Sequence, residues 1–331
     1  MEEAFPAARR RATERLEPTN VVTVTTTARL HFGFLDPSGK GSRPFGSFGL
    51  SLNRPRTRLS LRKKAAITAV SGPEAERAQR YLATMAAGGR ITQPYELRLD
   101  EAIPPHAGLG SGTQLALAVG TAFAALEKIA LNPAEIAAEL GRGARSGIGI
   151  ATFAQGGLVL DGGPAGSGLP PLTSRVPFPE RWRAILIFDE KIAGLSGPDE
   201  ISAFQTLPCF PEAETEELTQ RVQIGLAAVE AHDFAGFCGQ VGALQAAMGA
   251  YFGALQGGMF VSPGVGEAIA WLQDQGLTGL GQSSWGPTGF AFVPSEAEGQ
   301  ALLAQLQKRA SAGLRFELAQ GRNQGAEIVT R

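Results

Sequence analysis

The chain has 331 residues, enough for two domains of ordinary size, and with 44% apolar and 18% charged residues it can bury a sizeable core. A formal net charge of −1 gives no electrostatic basis for nucleic-acid binding, and no apolar run reads as a membrane span. Two cysteines (Cys209, Cys238) and three dispersed histidines (His31, His106, His232) rule out a disulfide framework and leave metal ligands unknown, which points to a reduced, cytoplasmic setting.

Residues 1–20 carry four Glu and four Arg without an apolar stretch, and read as a flexible leader rather than a targeting signal. "VVTVTTTARLHFGFLD" (21–36) alternates, is β-branched, and predicts a strand ending in a turn; "RTRLSLR" (56–62) predicts a second, with Thr57, Leu59 and Leu61 on one face. After a helix near 74–87, "YELRLDEAI" (95–103) alternates again and runs into the glycine-rich "PPHAGLGSGT". Leu115, Val119, Phe123 and Leu126 then repeat at helical spacing. Asn132-Pro133 signals the start of a helix over 133–143. A short helix near 147–154 ends at Gly156-Gly157, before a strand in "LVLDGG" (158–163).

The Gly- and Pro-rich stretch 162–180 is the predicted boundary, dividing the chain into 21–175 and 176–331. Beyond it come a strand (182–190), helices near 212–231, 233–255 and 264–275, a strand pair within 279–293, and a helix at 295–310. "LRFEL" (314–318) is expected as the final strand. Strands first, then helices, then a mixture indicates an α+β fold.

The functional question centres on residues 104–120. A helix N-terminus presents unpaired N–H groups and a partial positive charge, glycines let a phosphate approach, and a hydroxyl adds a donor. Gly108, Gly110, Ser111, Gly112 and Thr113 supply these parts, although a tight strand-to-helix turn without ligand explains the glycines equally well. The P-loop pattern is absent, and the dinucleotide fingerprint fails at Thr113.

The pattern P-x-x-x-G-L-G-S from Pro104 to Ser111 resembles the phosphate loop of the GHMP superfamily of small-molecule kinases. "SGIGIATFAQGG" (146–157) and "GQSSWGPTGFAF" (281–292) resemble its second and third motifs. In many of these kinases the fourth residue of the second motif is an acid that takes the substrate's proton; here it is Gly149, and the next acid, Asp161, follows a further strand. "ARLHFGFLD", "GRGARSGIG", "GLSGPDEISAF" and "GQSSWGPTGFA" together resemble the β-ribofuranosylaminobenzene 5′-phosphate synthase branch. That resemblance implies a GHMP-kinase-like fold, with a ribosomal-protein-S5-domain-2-like N-terminal half and a ferredoxin-like C-terminal half. It also implies a homodimer that joins phosphoribosyl pyrophosphate (PRPP) to p-aminobenzoate with loss of CO2 and pyrophosphate, in methanopterin-type cofactor synthesis. Mg2+ is the implied cofactor, and ATP is not expected. An ATP-dependent kinase and an inactive sugar-phosphate sensor are the competing expectations.

Under that resemblance Arg29, His31 and Arg145 are the expected catalytic residues. Asp36, Ser146, Gln282, Ser283 and Ser284 join the loop residues as substrate contacts. Each has a plainer reading: a polar strand rim for Arg29 and His31, an Asx turn for Asp36, hairpin chemistry for 282–284. Arg142 is a further anion-clamp candidate, His106 reads as structural, and Glu200 as a residue placed by resemblance alone.

Overall fold

A computed structural model describes residues 21–41, 44–89, 91–164, 168–195, 197–309 and 313–331. The expected leader, 1–20, lies outside the described residues. In chain order the elements are β1 (Val21–Asp36), β2 (Phe45–Lys63), β3 (Ala69–Ser71), α1 (Ala75–Gly88), β4 (Tyr95–Glu101), α2 (Ser111–Glu127), α3 (Pro133–Glu139), α4 (Ile148–Gln155), β5 (Leu158–Asp161) and β6 (Leu172–Val176). The second half runs through β7 (Arg183–Asp189), α5 (Pro198–Thr206), α6 (Glu212–Glu230), α7 (Phe234–Gln256), α8 (Pro263–Asp274), β8 (Leu280–Gln282), β9 (Gly289–Val293), α9 (Glu296–Arg309), β10 (Leu314–Gln320) and β11 (Glu327–Thr330).

One sheet has the order β11-β1-β2-β4-β3, with β5 and β6 continuing from the first part of β2. The other has the order β10-β7-β9-β8. All pairs are antiparallel except β3 with β4. This is the expected α+β arrangement of two halves.

Three larger apolar cores and a small one of Ile148, Ala151 and Val159 form among the described residues. Val22 and Val24 of β1 pack with Leu59 and Leu61 beneath α1 and α2. Further along, Leu30 and Phe32 belong to a different core, shared with α6, α7 and the second sheet. Strand β7 is buried on both faces: Leu186 and Phe188 face that shared core, while Ile185 and Ile187 face α8 and α9. A strand covered on both sides reads as a continuous apolar run, as "AILIF" does.

Strand β1 therefore passes from one core to another, and its ladder with β2 breaks twice, between Thr27 and Arg29 and between His31 and Gly33. Such breaks free backbone groups for other partners, and both are used at the site described below.

Several expectations need correction. Strand β2 begins at Phe45, not near 56, because its glycine- and serine-rich first part carries no clean alternation. The helix expected over 133–143 stops at Glu139; its predicted Asn132 cap is present with Glu135 as a capping box, but Gly141 turns the chain at φ 63°. The 314–318 strand is not the last. β11 follows it and returns to β1, with Val21 and Arg331 exchanging two backbone hydrogen bonds of 2.9 and 3.0 Å. The last strand of the 176–331 segment thus completes the sheet of the first.

Candidate active site

The site is built where three loops meet the two register breaks of β1. Freed from β2, the Arg29 N–H donates to Leu109 O at 3.2 Å, and its guanidinium donates to Gly108 O at 2.6 Å. At the second break the His31 N–H donates to Ser283 Oγ (3.0 Å), and His31 O accepts from the Ser284 N–H (3.0 Å). Ser283 Oγ in turn donates to Gly108 O at 2.8 Å. The loop before α2 and the turn before β9 are thus pinned to one strand and to each other. A third loop joins them through the Gly194 N–H, which donates to His106 O at 2.8 Å.

Gly108 has to be glycine: it sits at φ 71°, and a Cβ there would lie 2.1 Å from Ser283 O. Gly110, at φ 80°, is the N-cap of α2 and has no side chain to cap it, so the first turn of the helix is left for an external acceptor.

Around that helix start lies a cleft of about 530 Å3. Its floor is Gly108 and Gly110–Thr113 with Arg29, and His106, read as structural from the sequence, also lines it. One wall carries Arg77, Arg80 and Tyr81 of α1 with Arg142 from the α3–α4 connection; the other carries Leu195, Gly197, Glu200, Ser284 and Trp285. Glu200 is the one acid among the described lining residues, and it pairs with Arg145 at 2.8 Å. Burial pushes the Arg29 pKa down to about 10, opposed by the charge of Glu200, so the guanidinium stays cationic at neutral pH.

A cationic cleft over uncapped helix amides has the chemistry to attract anions, and the chain's net charge of −1 conceals that local field. Of the expected residues, the structure gathers Arg29, Gly108, Gly110, Ser111, Gly112, Thr113 and Ser284 in the cleft.

The others are elsewhere. Asp36 is fully buried in its own turn: its carboxylate accepts from the Ser38 N–H (2.9 Å), the Ser38 hydroxyl (2.5 Å) and the Gly41 N–H (2.8 Å). Ser146 and Asp161 serve the start of α4, where the Gly147 N–H donates to Asp161 Oδ2 at 2.7 Å. Gln282 accepts from the Val261 N–H at 2.9 Å and Ser283 is the pin described above, so neither lines the cleft. Arg145 does not line the cleft; it pairs with Glu200 and stacks over Phe204 at 4.8 Å.

His31 is 2% exposed, beside Phe34, and lies outside the cleft. Burial first, and the Arg29 charge second, hold its imidazole well below the usual histidine range. The side chain is neutral, and its backbone supplies the loop contacts.

Arg77, Arg80 and Tyr81 escaped sequence reasoning. Their signal was the helical spacing of "ERAQRY", which places Arg77 one turn from both Arg80 and Tyr81, but that spacing alone equally describes a solvated face.

A second cavity, about 650 Å3 and mostly apolar, lies between α7, α8 and β8; Gln245, Met248, Phe252 and Gln282 line it, and it shares Ser284 with the cleft.

Residues 75–157 match the GHMP kinases N terminal domain, and residues 226–312 match the GHMP kinases C terminal domain. The chain is 27% identical to a β-ribofuranosylphenol 5′-phosphate synthase of Methanothermobacter thermautotrophicus, over 92% of this chain and 98% of the relative. It is 29% identical to the synthase of the same name from Archaeoglobus fulgidus, over 93% and 99%. Among solved structures, homoserine kinase from Cytophaga hutchinsonii superposes with a TM-score of 0.65 at 16% identity, covering 99% of this chain and all of the kinase. Mevalonate diphosphate decarboxylase from Staphylococcus aureus superposes at 0.66 and 16% identity, covering 95% and 99%. These two share the fold.

Proposed function

Because the chain belongs to the GHMP kinase superfamily and is a transferase-type synthase, we propose that it transfers the phosphoribosyl group of PRPP to a para-substituted benzoate, releasing diphosphate and CO2. The observation that carries this reading is Gly149. A Cβ there would lie 2.9 Å from Thr113 Cγ2, so at the position where many kinases of the fold carry a carboxylate base this chain has none, and a side chain could enter only if Thr113 shifted.

The proposed reaction does not need that base. The ring carbon bearing the carboxylate attacks the anomeric carbon, and the C–O bond to diphosphate breaks, with its electron pair leaving on diphosphate. The C–CO2 bond then breaks, and its pair restores aromaticity, so no ring proton has to be removed. What the protein must supply is alignment and a cationic setting for the leaving group, and Arg29 with the α2 amides fits that demand.

A para hydroxyl or a para amino group pushes electrons to the attacking carbon alike. The two relatives are named for a phenol product, so hydroxybenzoate stands beside the p-aminobenzoate that the sequence suggested. The apolar cavity that meets the cleft at Ser284 offers room for such a ring. Ser111, Thr113 and Glu200 are hard oxygen donors suited to Mg2+ held largely by diphosphate, where the ion would neutralise leaving-group charge. The same reading assigns the enzyme to methanopterin-type cofactor synthesis, as the sequence resemblance implies.

The test is release of label from carboxyl-labelled hydroxy- and aminobenzoate with Mg2+. Release that requires PRPP and not ATP is expected, and Ser111→Ala should slow it about tenfold or more. Absence of release, with ATP-dependent phosphorylation of a small alcohol instead, would return the protein to the kinases.

A further inference from the structure

We propose that the cleft contains two separate anion subsites, and that Arg77, Arg80 and Arg142 form the second, which holds the 5′-phosphate of the ribosyl donor while Arg29 and the α2 amides hold its diphosphate. The assignment rests on the PRPP reading above.

The glycines of the loop lay out an axis. A Cβ on Gly108 would meet the turn that carries Ser284, and one on Gly110 would lie 3.3 Å from the Arg29 guanidinium. A Cβ on Gly112 would lie 3.7 Å from Arg142 Nη1 and 3.9 Å from Arg77 Nη1, with no closer neighbour. Moving along the loop, one guanidinium thus gives way to a group of others, across space that glycine at 112 leaves open.

The far group is held in place. Arg142 lies over the Tyr81 ring at 5.3 Å and is hydrogen-bonded to its hydroxyl, and the Tyr81 hydroxyl reaches Gly112 O at 3.4 Å. Arg77 Nη1 is 3.2 Å from Glu74. Arg142 Nε is buried without a hydrogen-bond partner, while Arg80 is exposed at the cleft mouth. Planar guanidinium forks gathered in this way match a phosphate monoester.

The order of the two anions follows from the chemistry. The anomeric carbon carries the diphosphate and must face the acceptor; the apolar cavity shares Ser284 with the cleft, Ser283 beside it and Arg29 both donate to Gly108 O, and neither Arg77 nor Arg142 lines that cavity. The non-reacting phosphate therefore takes the remote end, where its binding energy can align the sugar.

Calorimetric titration with ribose 5-phosphate, inorganic diphosphate and PRPP, each with Mg2+, tests this. Ribose 5-phosphate should still bind when the protein is saturated with diphosphate. Arg80→Ala and Arg142→Ala should each weaken ribose 5-phosphate binding by about tenfold or more and leave diphosphate within about threefold. Arg80→Ala, on an exposed helix face, should melt as the parent does. Mutually exclusive binding of the two ligands, or equal loss of both in the variants, or no loss in either, would overturn the second subsite. Correct ligand behaviour with no PRPP-dependent CO2 release would leave the subsite standing and remove the synthase reading.

Discussion

At His31, burial and the Arg29 charge keep the imidazole neutral while its main chain ties β1 to the turn before β9. The unfolded chain takes up a proton here near the ordinary value of 6.5, and the folded chain does so only well below it. The native state therefore binds fewer protons in that interval, so stability is full above 6.5 and falls as pH drops towards the folded pKa. Melting the parent and His31→Gln at about pH 7.5 and pH 5 should show a larger acid loss in the parent; equal losses would refute the assignment. At Gly149 the contact with Thr113 makes even a methyl group costly. Gly149→Ala should lose about 1–3 kcal/mol, and Thr113→Ser in that background should recover part of it, because the Cγ2 contact goes while the Cβ contact at 3.2 Å stays. An unchanged melting temperature for Gly149→Ala would refute the crowding by Thr113. The sequence made the missing acid at 149 visible, but not that Thr113 fills its place.

Among the elements, α4 shows how a helix start can be spoken for internally while another is left open. Asp161, at the end of β5, accepts from the Gly147 N–H on one oxygen and from the Ser47 and Gly163 N–H groups on the other, at 2.7, 3.0 and 2.9 Å. Burial raises its pKa against those hydrogen bonds, so the carboxylate joins α4, β2 and β5 at some cost in desolvation. Asp161→Ala strands three backbone donors and should destabilise by at least about 2 kcal/mol in denaturant unfolding; Asp161→Asn, which keeps one acceptor, should lose less. Equal stability of Asp161→Ala and the parent would contradict this account. The start of α2, capped by a glycine, keeps its donors for the cleft. The sequence marked the glycine-rich start of α2 as a phosphate cradle and also expected Ser146, at the start of α4, to touch substrate; only the position of Asp161, brought back by a strand, separates the two helix starts.

For the whole molecule, the return of β11 to β1 closes an edge that would otherwise expose unpaired backbone. The connection is anchored by Asn323, whose amide accepts from the Phe178 N–H at 2.7 Å and donates to Phe178 O at 2.9 Å. Truncation after Gln320 should lower the melting temperature by about 4 °C or more and promote aggregation, read by calorimetry and light scattering. A soluble truncated chain with the parent's melting temperature would show that β11 contributes nothing. The sequence by itself determined most of the strands and helices, the α+β class, the phosphate-loop turn and the absence of an acid at 149, because alternation, helical spacing and glycine at a left-handed turn are written within a few residues. Only the tertiary structure decided that Asp36 and Ser146 serve their own turns, that His31 is a neutral support, and that Arg77 and Arg142 face Arg29 across one cleft. Those outcomes depend on packing between segments tens to hundreds of residues apart, and no local spacing encodes which side of a helix a neighbouring strand will cover.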